Sequence, residues 1–203
     1  MLRIVLVNPK SHLPIDTRTS PSMGLAYLGA VSLQRGDEVQ IWDGDVEPEP
    51  LPALLRAFQP HIVGITANTT QIKSAWAAAQ EVKAALDVPV VLGGPHPTVL
   101  PEESAARPEV DVVVRSEGEA TWVELAVRLE EAGLAAASWT ALAGQHADLL
   151  APILGITYRG PDGAVRHNPD RPPIGDLDSL PWPAWHLFQL DRYTNLQPTL
   201  DDL

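Results

Sequence analysis

Between residues 1 and 132, five short β-branched runs alternate with segments of helical periodicity, and few folds accommodate that alternation. The runs are Arg3–Val7, Glu38–Trp42, His61–Ile65, Val88–Leu92 and Asp111–Val114. Most are nearly continuously apolar, as parallel strands buried on both faces must be. Between them, Leu51, Leu54, Leu55 and Phe58 make one 3.6-period stripe, and Ile72, Ala75, Trp76, Ala79, Val82 and Leu86 make a longer one. Trp122, Leu125, Ala126 and Leu129 make a third. Gly24–Leu33 is apolar almost all round, which suits a helix pressed against a sheet, and a short helix is expected near 102–106. Right-handed crossovers turn this repeat into an α/β fold: a doubly wound, five-stranded parallel sheet of order 2-1-3-4-5. The order reverses between strands 1 and 3, and ligands of such sheets bind outside the carboxyl ends of the strands at that point. The loops to inspect are therefore 8–23, 66–71 and 93–98.

The character changes after Gly133. Residues 134–151 are Ala-rich without a strong period. Ile153–Arg159 and Ala164–Asn168 flank Gly160-Pro161-Asp162-Gly163, which predicts a β-hairpin. Residues 169–203 begin Pro-rich and carry the aromatic residues Trp182, Trp185 and Phe188, exposed anchors if the segment does not pack. The expected organisation is a domain over 1–132, an insertion and hairpin over 133–168, and a Pro-rich linker over 169–203.

Charge and composition narrow the function. A formal net charge of −12 opposes binding to phosphate backbones and anionic membranes, so neither nucleic acid nor a membrane is an expected partner. No apolar run approaches the roughly 18–20 residues that span a bilayer. The first residues lack a signal peptide's long apolar region and cleavage site, so a cytoplasmic protein is expected. The absence of cysteine removes disulfides, thiolate metal sites and cysteine nucleophiles.

Four loops could carry chemistry. The first, with Asn8, Pro9, His12, Pro21 and Gly24, is longer than the roughly 2–6 residues of an ordinary βα connection. It has neither the G-x-G-x-x-G of a dinucleotide site nor a P-loop. Thr66, Ala67, Asn68 and Thr69 follow the third run; they can bond a buried polar ligand, or simply cap the next helix. Gly93-Gly94-Pro95-His96-Pro97-Thr98 follows the fourth, with paired glycines that let backbone approach a ligand closely. Arg115-Ser116-Glu117-Gly118-Glu119 follows the fifth and places carboxylates at a helix N-terminus, where the helix dipole alone would stabilise them.

Together with Pro21–Leu28, Asp43, Val63-Gly64-Ile65-Thr66 and the tail Asp176–Trp185, these loops resemble the cobalamin-binding domain at the N-terminus of cobalamin-dependent radical SAM enzymes. The resemblance implies a Rossmann-like domain over residues 1–132 that binds cobalamin. Its nucleotide tail would insert between strands 1 and 3 and be lined by 66–70 and 93–98. Glu117, Gly118 and Glu119 would lie near the buried base, and the 8–23 loop under the corrin ring. The tail would lead into a radical SAM barrel, in cis or in trans, which would hold S-adenosylmethionine and a [4Fe–4S] cluster.

Three departures sharpen the expectation. Ser116 stands where the family usually has Gly. The Asp-x-His-x-x-Gly that supplies an axial histidine in histidine-ligating cobalamin modules is missing, since Leu13-Pro14-Ile15 follow His12. His61 has the His-x-x-Gly spacing but runs into the third strand. The radical SAM branch that the chain resembles binds cobalamin base-off with no protein histidine on cobalt, so the resemblance implies that mode here and the missing motif fits it, with an approach of His12 to the lower face left open. Third, the Cys-x-x-x-Cys-x-x-Cys of radical SAM chemistry is absent, so this chain would bind and orient the cofactor of a methyl-transferring enzyme and not be catalytic alone. It would be an excised domain, a truncated product or a stand-alone carrier. The rival expectations are a cofactor-free interaction module, which would pack the gap between strands 1 and 3, and an enzyme binding a nucleotide or sugar at the same point.

Overall fold

A computed structural model describes residues 1–11 and 20–193. Its seven-stranded sheet runs β2-β1-β3-β4-β5-β6-β7. The strands are β1 (Arg3–Asn8), β2 (Glu38–Asp43), β3 (Ile62–Thr66), β4 (Val90–Gly93), β5 (Val112–Val114), β6 (Ile156–Arg159) and β7 (Val165–His167). The first five pair in parallel in the predicted order. The predicted hairpin does not stand apart: β6 and β7 extend the sheet antiparallel from β5.

Alternate residues of each central strand enter opposite layers, as the pleat requires. Ile4, Leu6, Ile62, Val91, Val112 and Val114 face α1 (Met23–Gln34) and α6 (Glu119–Glu131). Val5, Val7, Val63, Ile65, Val90, Leu92 and Val113 face α2 (Leu51–Phe58) and α3 (Ile72–Ala85). The connection from β4 to β5 holds two short helices, α4 (Pro95–Val99) and α5 (Pro101–Ala105), where one was expected. Proline opens each, a position where its missing N–H costs nothing. The Ala-rich stretch forms a 3-10 turn over Thr140–Gln145 and α7 (His146–Leu150). Trp139 is its anchor, buried and donating from Nε1 to Asp111 at 2.8 Å.

Residues 169–193 form a strap across the α1–α6 layer. Arg171 bonds Thr121 at 2.7 Å and pairs with Glu124, both on α6. Ala184 N–H donates to Ala26 O at 3.0 Å on α1, and Leu187 lies against Gly29. This accounts for the apolar character of α1, since the sheet, α6 and the strap all pack against it. Gln189 and Arg192 then reach Glu47 at 3.1 and 2.9 Å. Of the three aromatic residues, Phe188 is buried and Trp185 half-buried, while Trp182 stays 92% exposed. Among the described residues, no helix is long and apolar enough to cross a membrane.

Candidate functional site

A cavity of about 160 Å³ opens at the carboxyl ends of β3, β4 and β5, between α1 and α6. That is the size of an apolar cavity able to hold benzene. Its inner wall is Leu25, Gly64, Val91, Val114 and Trp122, with Thr66, Ser116, Glu117 and Glu119 supplying the polar side chains of the lining. The cavity thus lies toward β4 and β5 from the switch point, with no β1 residue in its lining.

Local chemistry builds each wall. A Cβ on Gly64 would lie 3.0 Å from both Leu6 and the Trp122 ring, so this glycine seats the indole against the sheet. Trp122 Nε1 donates to Ser32 Oγ at 2.8 Å, and Ser32 donates on to Leu28 O at 2.8 Å. The indole is therefore held with its polar atom on α1. Gly94 has φ +100, and a Cβ there would approach Thr66 Oγ1 to 2.8 Å and Ala67 O to 2.9 Å; only glycine fits without displacement. Gly24 is the opposite case, a lining residue whose added Cβ would meet nothing within 4 Å. Ser116 is left-handed, with φ 61, and its N–H donates to Thr98 Oγ1 at 2.9 Å. Glu117 Oε2 accepts from Ile174 N–H at 2.6 Å, joining the rim to the strap.

Of the predicted site residues, the cavity gathers Gly24, Thr66, Gly93, Gly94, Glu117, Gly118 and Glu119. Others support the loops around it. Ala67 is buried, its N–H donating to Gly93 O at 2.9 Å, and its O accepts from His96 N–H at 3.1 Å. The Asn68 side chain closes the turn before α3, accepting from the Gln71 N–H at 3.1 Å. The buried His96 ring spans Thr69 Oγ1 at 3.3 Å and Glu103 at 3.0 Å. Asn8 donates to the buried Asp43 at 3.1 Å, and Gln71 donates to Asn8 at 3.2 Å and to Pro9 O at 2.8 Å. Pro21 precedes Ser22, whose hydroxyl caps α1, and Pro95 opens α4. His12 and the rest of 12–19 lie outside the described residues.

His61 sits at the amino end of β3, away from the cavity, where its Nδ1 accepts from Arg3 N–H at 3.0 Å. Burial, then the Arg3 charge, lowers its pKa and favours the neutral ring that accepts this bond. Sequence reasoning missed Leu25, Leu28, Gly64, Val91, Val114 and Trp122 as lining residues. The available signal was Gly64, a glycine interrupting a strand, which marks close approach of another group.

The family model of the B12 binding domain matches residues 18–126. The chain belongs to this family. An uncharacterized methyltransferase of Pyrococcus horikoshii is 35% identical to this B12-binding chain over 201 residues, 95% of the chain and 40% of the relative. The anaerobic magnesium-protoporphyrin IX monomethyl ester cyclase of Rubrivivax gelatinosus is 30% identical over 201 residues, 95% of the chain and 34% of the relative. The chain thus spans well under half the length of these curated relatives. Among solved structures, the cobalamin-dependent S-adenosylmethionine radical enzyme OxsB, with aqua-cobalamin and S-adenosylmethionine bound, aligns with a TM-score of 0.70 at 20% identity, over 91% of this chain and 24% of that one. The radical S-adenosylmethionine methyltransferase TsrM from Kitasatospora setae, with cobalamin and a [4Fe–4S] cluster bound, aligns at 0.59 and 23% identity, over 85% of this chain and 30% of that one. At these identities the likeness is one of fold.

Proposed function

We propose that this B12-binding domain holds cobalamin base-off, with the detached base in the cavity and no protein histidine on cobalt, as the cofactor-binding part of a radical SAM methyltransferase. The cavity carries the reading: a ring-sized space with an apolar inner wall and polar groups in its lining fits a flat aromatic group on a polar stem. Gly24 lies in the lining, and a Cβ added there would meet nothing within 4 Å, which is in keeping with unfilled space at that wall. The imidazoles of His61 and His96 are both engaged in bonds within the fold. The names of the relatives support the larger assignment, with methyltransferases and radical S-adenosylmethionine enzymes among them.

Bound cobalamin would supply a cobalt able to carry a methyl group. The residues of this chain bind and orient. Trp122, Val91 and Leu25 exclude water from the base, and the 93–94 backbone lets it approach the strand ends. S-adenosylmethionine and the [4Fe–4S] cluster are assigned to a radical SAM domain in cis or in trans, since this chain offers no thiolate. The same reading keeps the chain in the cytoplasm. Incubation with hydroxocobalamin followed by desalting tests it. Corrin absorbance should stay with the protein; a colourless protein at micromolar concentration overturns the proposal.

A further inference from the structure

We infer that Asp43 is a positioning residue that couples docking of the strap to cofactor affinity: with Tyr193 seated on it, its carboxylate holds Asn8 and the start of the loop after β1 in the conformation that binds. The inference rests on the cofactor reading above and goes beyond it, from what the carboxyl face binds to what keeps that face in shape.

Three segments of chain meet at Asp43. It closes β2 and is buried. One of its oxygens accepts from Asn8 Nδ2 at 3.1 Å and from the Tyr193 hydroxyl at 2.8 Å, and the other accepts from Asp45 N–H at 3.0 Å. A carboxylate only accepts, so Asn8 must turn its NH2 group toward Asp43 and its carbonyl oxygen away. That oxygen accepts from Gln71 Nε2 at 3.2 Å, and the same nitrogen donates to Pro9 O at 2.8 Å. Asp43 thus sets the polarity of a chain of bonds that runs from the strap, through the end of β1, to the start of α3. The backbones meet there as well. Gly44 N–H donates to Asn8 O at 2.9 Å, and a Cβ on Gly44 would come within 2.8 Å of Lys10 N. Ser11 N–H donates to Asp45 Oδ1 at 3.0 Å.

This network lies on the face that a ligand larger than the cavity must use. The cavity, at about 160 Å³, has room for one ring, so the rest of a corrinoid lies outside it, over the carboxyl ends of the strands. β1 and β2 end there side by side, Asn8 opposite Asp43. The direction in which residues 8–11 leave β1 is therefore part of the binding surface. Tyr193 is the donor that the strap adds to this arrangement. Without its hydroxyl, Asp43 holds Asn8 alone on that oxygen, and the segment is freer to leave the strand in other directions. Gln189 and Arg192 still hold the neighbouring strap on Glu47, so the loss loosens the end of the strap without releasing it. A binding conformation that is only partly populated lowers the apparent affinity by its population. The worth of one hydrogen bond sets that loss at about 2- to 10-fold.

The test titrates the protein with hydroxocobalamin, follows corrin absorbance, and compares wild type with Tyr193→Phe, Asp43→Asn, the double variant and Asp37→Asn. Asp37 is a second buried carboxylate beside β2, but at its amino end, where it accepts from Leu2 N–H at 2.7 Å. Its loss lowers stability at the end of the sheet away from the cofactor. Tyr193→Phe and Asp43→Asn are each expected to weaken binding by about 2- to 10-fold, the double variant by no more than the larger single loss, and Asp37→Asn to leave affinity unchanged. Because coupling is reciprocal, cobalamin should slow amide exchange at residues 190–193 in wild type and do so less in Asp43→Asn. Unchanged affinity in a folded Tyr193→Phe, or losses that simply add in the double variant, overturns the inference and leaves the cofactor reading standing. An equal loss in Asp37→Asn shows that affinity follows stability and overturns it too. No binding by wild type overturns the cofactor reading and the inference with it. Tyr193→Phe decides the matter even if Asp43→Asn fails to fold.

Discussion

The phenol of Tyr193 donates a 2.8 Å hydrogen bond to the carboxylate of Asp43, 150 residues earlier in the chain. Asp43 is the last residue of β2, is buried, and also accepts from Asn8. The bond therefore docks the far end of the strap onto the edge of the ligand face.

That docking should fail in alkali. Burial first, then the Asp43 bond and charge, push the Tyr193 pKa well above its ordinary 10.0. A raised pKa favours the protonated phenol in the folded state. The stabilisation is thus fully present below about pH 10 and is lost as pH rises toward the folded-state value. A difference titration of phenolate absorbance, wild type minus Tyr193→Phe, isolates this group. Its midpoint should lie clearly above 10.0; a midpoint at 10.0 would show that the strap end is undocked in solution. Tyr193→Phe should cost about 0.5–1.5 kcal/mol at neutral pH, the net worth of one such bond.

Ser116→Gly should stabilise the protein. Ser116 holds φ 61, a conformation that costs an L-residue roughly 1–2 kcal/mol. Glycine removes that cost but adds freedom to the unfolded chain, leaving a net gain of about 0.5–1 kcal/mol. The bond to Thr98 uses backbone N–H and survives the change. Thermal unfolding should shift upward by roughly 1–4 °C for a chain of this size. A fall would mean that the serine hydroxyl contributes something beyond the hydrogen bonds described.

The central strands were legible because burial on both faces makes each a short apolar, β-branched run of strand length set between helical stripes. The edges were less so. The fourth run was expected to start at Val88, yet β4 starts at Val90; Pro89 has no N–H to give the ladder, and only its carbonyl joins β3, through Val63. Gly93-Gly94 was readable as a site for a general reason, close backbone approach, and Gly94 shows that reason directly. Trp122 was read only as part of a core stripe. Nothing in a helical period distinguishes a tryptophan that fills a core from one that walls a cavity. The strap was illegible for a different cause. It has no period at all, and it is held by side chains such as Arg171, Gln189 and Tyr193, whose partners lie far away in sequence.

Arg115 illustrates that limit and yields a third prediction. It appeared as the first residue of a loop motif, but the structure buries it as a clamp. Its guanidinium donates to Ile156 O, to Thr157 Oγ1 at 2.6 Å, and to Asn168 O and Asp170 at 2.7 Å. It thereby ties β5 to both hairpin strands' surroundings and to the start of the strap. Lysine cannot reproduce a planar fork with several donors. Arg115→Lys should cost about 1–3 kcal/mol and Arg115→Ala more, because buried acceptors lose their donor. Chemical denaturation measures the loss, and hydrogen exchange should show it concentrated in residues 153–171. A uniform change across the sheet would argue against the clamp.

The last prediction separates the site from the fold. Gly24 lines the cavity, its backbone is helical, and an added Cβ meets nothing within 4 Å. Gly24→Ala should leave stability unchanged or raise it by up to about 1 kcal/mol, since glycine is the costlier residue in a helix. Gly24→Phe keeps the helix and adds a ring at the lining of the cavity, where it should compete with the cofactor base. Gly94→Ala acts on the backbone instead: the left-handed φ and the approach to Thr66 and Ala67 destabilise the loop, by more than about 1 kcal/mol. Thermal unfolding and corrin retention, measured in parallel, should therefore diverge. Gly24→Phe should melt near wild type and lose cobalamin, whereas Gly94→Ala should melt lower. Full retention of cobalamin by a folded Gly24→Phe would place the base elsewhere on the carboxyl face.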